Sequence, residues 1–352
     1  MTPRENILGL FRKTGYETAP VCFDLCPLKD EEFRKKTGSD KSYRDYYNFP
    51  WKSTAAPERK WETPDWRKYH GPDLKEGTTF DLYGVGWEPG GYAHLRGMRN
   101  PMKNFTSVQQ MMDYPFPDWT KSDFGPVKKS VEEIHRAGHA AMFSFACSIW
   151  ETSWYIRGME ELMMDMMSGD PMASFLLDKV TDNACYIVKK AAEAGIDFLH
   201  TGDDIGMQKS IMMSESMHRE WIKPRMVKVI KTAKDANPDL IVSYHSCGYV
   251  KPFIKDLIEI GVDTLNPVQP ECMSFEEIFK EFGDRLSFWG TIGTQTTLPF
   301  GKPEDVRREV LKNLELAGGK GGLLCAPTHL IEPEVPWENI EAYIKACGDF
   351  KP

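Results

Sequence analysis

From about residue 136 onward, apolar and polar positions follow two alternating rhythms. Helix-length stretches with apolar residues three and four apart end in a turn, and a short β-rich run follows. Ala137-Gly138 precedes Ala140–Ala146, Ala194-Gly195 precedes 196–201, and Asn237-Pro238 precedes 240–245. Ile260-Gly261 precedes 262–267, Gly283-Asp284 precedes 285–290, and the glycine-rich 318–322 precedes 323–325. Strand candidates separated by helix-length segments predict a parallel sheet with crossover helices. Residues 21–25 and 80–85 add two more candidates, which makes eight, the strand number of a (β/α)8 barrel. An open doubly wound sheet would carry G-x-G-x-x-G after a strand. Gly84-Val85-Gly86 has only its first half, and Gly90 and Gly91 follow a proline. The expected fold is therefore an α/β TIM barrel formed as one domain over residues 1–352. Residues 1–135 form an irregular, elaborated N-terminal region, and 136–352 carry the regular repeats.

Within that N-terminal region, residues 49–73 set Trp51, Trp61, Trp66 and Tyr69 among charges and prolines without a clean period. This reads either as a surface excursion with its own aromatic cluster or as a lid over the barrel top. Methionine is dense between Met159 and Met172 and again from Met207 to Met217. Helix-core packing accounts for most of these, and a soft pocket wall or partner surface for the others.

Composition narrows the function. No run of about 18 apolar residues exists, so a membrane span is not expected. The chain carries 44 Lys and Arg against 52 Asp and Glu, a formal charge of −8, with no basic block. Binding to a nucleic-acid backbone needs clustered cations, so nucleic acid is not an expected partner. Eight cysteines, with no long apolar stretch behind Met1–Gly15, fit reduced thiols in a cytoplasm.

The sharpest local signal is Tyr244-His245-Ser246-Cys247-Gly248. Strand alternation puts Ser243, His245 and Cys247 on one face. In a barrel that face points inward, and the strand's C-terminal end opens into the mouth. A histidine and a cysteine two apart at the rim can share one zinc ion. Alone, the pair is equally what two small buried side chains would look like. Cys325, ending the Gly321-Gly322-Leu323-Leu324 run, is a third ligand if both runs are barrel strands. His329, in the following loop, competes for that place and otherwise touches substrate. Three protein ligands with an open fourth position is the pattern of a catalytic zinc. Glu151 offers a displaceable oxygen ligand or a capping carboxylate. Asp203 and Asp204, in Gly202-Asp203-Asp204-Ile205-Gly206, could orient a ligand, bind a hydroxyl or do acid–base work. They could equally be ordinary turn residues.

Taken together, His245-Ser246-Cys247-Gly248, Ile260-Gly261-Val262-Asp263, Gly321-Gly322, Gly202-Asp203-Asp204 and Pro336-Trp337-Glu338-Asn339-Ile340 resemble the uroporphyrinogen decarboxylase superfamily. The resemblance covers roughly residues 135–345, with a weaker echo at 81–87. It implies a (β/α)8 barrel. Within the superfamily, H-x-C plus a distant cysteine is similar to the cobalamin-dependent methyltransferase branch, which implies zinc on His245, Cys247 and Cys325. The decarboxylases are metal-free and use an arginine-rich N-terminal segment, whereas Thr14–Pro20 has no arginine here. In the coenzyme M methyltransferases the last cysteine follows an Ala-Pro-Gly run. Here it precedes Ala326-Pro327, which is more like the substrate:corrinoid methyltransferases, O-demethylases included.

The function this implies is methyl transfer from a small methoxylated, aromatic substrate to the Co(I) corrinoid (cobalamin) of a partner protein. The alternatives are methyl transfer from a methyl-corrinoid protein to a thiol, and a decarboxylase-like barrel without methyl transfer. The corrinoid must come from outside, because D-x-H-x-x-G is absent: Tyr92-Ala93-His94-Leu95-Arg96-Gly97 has tyrosine where aspartate is required. A homodimer is compatible with the chain.

Overall fold

The computed structural model describes residues 1–91 and 96–352; the Tyr92–Leu95 part of the corrinoid-motif comparison lies outside the described residues. Seven parallel strands form one curled sheet: β1 (Trp51–Ser53), β2 (Ala140–Ala146), β3 (Phe198–Gly202), β4 (Ile241–His245), β5 (Thr264–Asn266), β6 (Ser287–Trp289) and β7 (Leu323–Leu324). Neighbours in space are neighbours in sequence. Met142 pairs with Phe198, Phe198 with Ile241, Thr264 with Ser243, and Phe288 with Leu323. The helices packed around them include α1 (Pro3–Arg12), α2 (Gly125–Arg136), α3 (Trp150–Arg157), α4 (Met159–Ser168), α5 (Pro171–Glu193) and α6 (Lys223–Ala236). Further along come α7 (Ile254–Glu259), α8 (Phe275–Phe282), α9 (Pro303–Ala317) and α10 (Trp337–Asp349). No helix among the described residues is long and apolar enough to cross a membrane.

Local chemistry explains the elements. Thr2 caps α1 and exchanges hydrogen bonds with Glu5, a capping box. In α2, Val127, Val131 and Ile134 are buried on one stripe, against which Gly195 turns the chain into β3. β3 and β4 are buried along most of their length, as parallel strands covered by helices must be.

The closed eight-strand expectation is met only in part. Residues 80–85 do not join the parallel sheet: Thr79–Phe80 pairs with Gly86–Glu88 in a separate antiparallel sheet. The strand beside β2 is instead Trp51–Ser53, inside the segment read as an excursion or lid. It is three residues long with Trp51 its one apolar side chain, so no apolar run marks it. Residues 21–25 make only an isolated parallel bridge, Leu25 to Ile331. What holds them is a side chain: the buried Tyr343 hydroxyl of α10 accepts from Cys22 N at 3.1 Å and lies 3.1 Å from Cys22 O and 3.0 Å from Cys325 O. One phenol thereby ties the incoming chain to the end of β7.

Residues 218–222 wind as one π-turn ahead of α6. His218 there is 0% exposed, its ring 4.4 Å from that of Phe253, and neither ring nitrogen has a partner. Burial holds its imidazole down to about 4.

Two measurements test these contacts. Tyr343→Phe leaves Cys22 N buried and unpaired, which should cost about 1–3 kcal/mol and lower Tm by several degrees with the circular dichroism spectrum unchanged. His218 stays neutral while its unfolded counterpart, at 6.5, takes up a proton, so stability should fall as pH drops from 6.5 towards 4. His218→Phe should flatten urea-unfolding midpoints across that window, and a slope equal to wild type would exclude His218 as a cause.

Candidate functional site

The C-terminal ends of the strands open into one mouth, where parallel α/β architectures place their chemistry. β4 ends on His245, and the two-residue period carries Cys247 to the same side. Strand pairing sets Gly202 of β3 against His245 on one flank and Asn266 of β5 on the other. A Cβ at Gly202 would sit 2.2 Å from His245 O, so only glycine lets β3 run this close. Gly248, at φ +82°, makes the matching turn, where a Cβ would meet Met207 O at 2.7 Å.

Beyond Gly202 the two aspartates diverge. Asp203 is fully buried and accepts from Ser148 Oγ at 3.1 Å, Ile149 N at 3.1 Å and Glu151 N at 2.8 Å. It caps the first turn of α3 and faces away from the mouth. Burial, and next the nearby Glu151, raise its carboxyl above the usual range. Asp204 turns to β4 instead: Cys247 N donates to its Oδ1 at 2.7 Å. Glu151 joins the two loops, accepting from Asp204 N at 2.9 Å and from the Tyr155 hydroxyl at 2.8 Å. Burial, and then the charge of Asp204, push its carboxyl up.

Asp204, His245 and Cys247 thus converge, with one potential ligand atom from each lying within 4.8 Å of the others. His245 Nε2 is 3.5 Å from Cys247 Sγ and 3.7 Å from Asp204 Oδ1. Tetrahedral zinc bonds of about 2.0–2.3 Å place ligand atoms about 3.3–3.8 Å apart, so the spacing and the O, N, S donor set fit that ion. The tautomer is set from behind. Asn266 Nδ2 donates to Trp289 O at 2.8 Å, which turns Asn266 Oδ1 towards His245 Nδ1, 2.6 Å away. Nδ1 must then carry the proton, and the Nε2 lone pair faces Cys247 and Asp204. Burial, then Asp204 and Glu151, push the Cys247 thiol far up.

Cys325, expected as third ligand, is not brought to this cluster. It is 2% exposed and faces the helix layer, its Sγ 3.7 Å from Thr291 Oγ1 and 4.0 Å from Val310 O of α9. The run ending β7 is too short for alternation to fix which way its last side chain points. His329 does reach the mouth, its ring 6.4 Å from that of His245. The residue is exposed at the rim, yet partial desolvation by its surroundings, and next His245, lower its pKa.

Beside the cluster lies a cavity of about 640 Å³, and His245 and His329 line it. Its other walls include Trp51, Trp289, Met142 and His200. Trp51 and Trp289 meet edge to face at 4.7 Å. Residues 51–53 therefore wall the cavity. Sequence reasoning passed over Asn266, Trp289 and His200. For His200 the inward phase of β3, two residues before Gly202, was the available signal.

Comparison with known proteins places this geometry. The family model "Uroporphyrinogen decarboxylase (URO-D)" matches residues 94–350. Uroporphyrinogen decarboxylase of Pseudomonas syringae pv. tomato is 24% identical over 263 residues, 70% of either chain. That of Hydrogenovibrio crunogenus is 21% identical, covering 72% of this chain and 70% of its own. Among solved structures, a methyltransferase from Methanosarcina mazei superposes with a TM-score of 0.70 at 16% identity, over 99% of this chain and 98% of its own. With its curled parallel sheet and a family match over most of its length, this chain belongs to the uroporphyrinogen decarboxylase family.

Proposed function

We propose that the protein is a zinc-dependent methyltransferase that moves the methyl group of a methoxylated aromatic compound to the Co(I) corrinoid of a partner protein. The observation that carries this is the Asp204–His245–Cys247 cluster at the edge of a ring-walled cavity. We read residues 1–352 as one barrel, with the 21–25 segment filling the eighth position.

The chain's own residues divide the work. Asn266 holds His245 in the tautomer that presents Nε2, and Cys247 N fixes the rotamer of Asp204. The aromatic walls offer flat apolar surface to a ring, and His329 stands at the rim for the oxygen from which the methyl group departs. When bound, zinc supplies a Lewis acid to that oxygen, where charge develops as the C–O bond breaks. Each decade of rate needs about 1.4 kcal/mol of such preferential stabilisation.

A decarboxylase reading would follow the curated relatives. Against it, the cations lining the cavity, Arg44 and Lys52, are already paired, with Asp24 and Asp45.

Two experiments test the proposal. Purified protein should hold close to one zinc per chain by elemental analysis, lost in Cys247→Ala and Asp204→Asn and retained in Cys325→Ala. Because the thiol must lose its proton, zinc affinity should rise about tenfold per pH unit near neutrality. Loss of zinc in Cys325→Ala with Asp204→Asn unaffected would restore the cysteine as ligand. Guaiacol and 4-methoxyphenol, each supplied with a Co(I) corrinoid protein, should yield the corresponding benzenediol and methyl-corrinoid. Turnover only from methyl-corrinoid to coenzyme M would reverse the assigned direction, and none with either pair would overturn methyl transfer.

A further inference from the structure

His200 sits inside the cavity and has no part in the cluster. β3 pairs His200 with Ser243, two residues before His245 on the next strand, so both imidazoles line the same wall. Their ring centroids are 5.9 Å apart, with His200 deeper along the strands. His200 Nδ1 is taken by the buried Ser243 hydroxyl at 3.2 Å, and Trp289 flanks the ring at 4.7 Å. Nε2 is the ring nitrogen left for the cavity. Trp289 in turn packs on Trp51, and Trp51 on Phe198 beneath. A flat ring leaning on these indoles, its reacting end at the rim, would bring its far end to His200.

We propose that His200 is a specificity-determining residue: it hydrogen-bonds a neutral polar substituent on the ring position opposite the methoxyl group. This rests on the aryl methyl ether reading above and adds to it the class of substrate, a para-substituted methoxybenzene with a hydroxyl or carbonyl. With the reacting oxygen at the rim, the position opposite it on a single benzene ring is the one directed to the deeper His200. A carboxylate is disfavoured at the deep end, where the groups against His200 are the neutral Ser243 hydroxyl and the Trp289 ring. A plain methoxybenzene would fill the same space but leave the His200 nitrogen buried without a partner, which is how polar sites discriminate.

The test is calorimetric titration of the zinc-loaded full chain with 4-methoxyphenol, anisole and 4-methoxybenzoate, alongside demethylation of each. Wild type should bind 4-methoxyphenol about tenfold more tightly than anisole, a gap of one buried hydrogen bond, and 4-methoxybenzoate most weakly. His200→Leu should bring the first two within about twofold of each other with zinc content unchanged, and His200→Gln should restore most of the preference. Equal wild-type affinities, a preference that survives His200→Leu, or tight binding of 4-methoxybenzoate would each overturn the assignment. If the preference and its loss are seen but no ether is demethylated by Co(I) corrinoid protein, His200 keeps its role and the methyl-transfer reading fails.

Discussion

Everything at the mouth depends on how tightly β3, β4 and β5 are held together. His245 is the last residue of β4, and its neighbours fix it from two directions. Gly202 lets the β3 backbone press against it where any side chain would collide. Asn266 of β5, itself oriented by Trp289 O, accepts a hydrogen bond from its Nδ1. An imidazole at a strand end would otherwise choose between tautomers and rotamers. Here the register of a parallel sheet has already chosen, and the lone pair that faces Asp204 and Cys247 is a consequence of backbone pairing.

The two adjacent aspartates show how the same constraint divides labour. Consecutive residues leaving a strand point in opposite directions, so Asp203 and Asp204 cannot serve one site. Asp203 spends its lone pairs on the amides opening α3, where a carboxylate also meets the positive end of the helix. Asp204 crosses to the Cys247 amide. Glu151 then bridges α3 to the Asp204 backbone, so the structural carboxylate and the cluster carboxylate form one connected network. A change at Asp203 would therefore be felt at Asp204 through the position of α3, without Asp203 touching a ligand.

Six of the seven strands were legible because buried parallel strands are nearly continuous apolar runs bounded by glycine turns, and β2 spans the very residues the pattern gave. β1 was not, because Trp51-Lys52-Ser53 has no apolar run; its place is set by pairing with Ala140 and by the burial of Trp51. Residues 21–25 looked like a strand on composition. They are anchored by a tyrosine more than three hundred positions away, a contact no local pattern encodes.

The sequence by itself determined the H-x-C pair and the face it occupies, since strand alternation is a local property of the backbone. It also determined that the chain is acidic, with a formal charge of −8, and of the α/β class. Only the tertiary structure decided which third side chain joins that pair. The string offered Cys325 and His329 for that place, but the loop after β3 carries Asp204 to the neighbouring strand end while β7 turns its cysteine into the helix layer. His200 is the same lesson in reverse. No motif surrounds it, and it matters only because strand register sets it beside His245 against a tryptophan wall. Which residues share a cavity is fixed by strand pairing and curvature, and those are properties of the whole sheet.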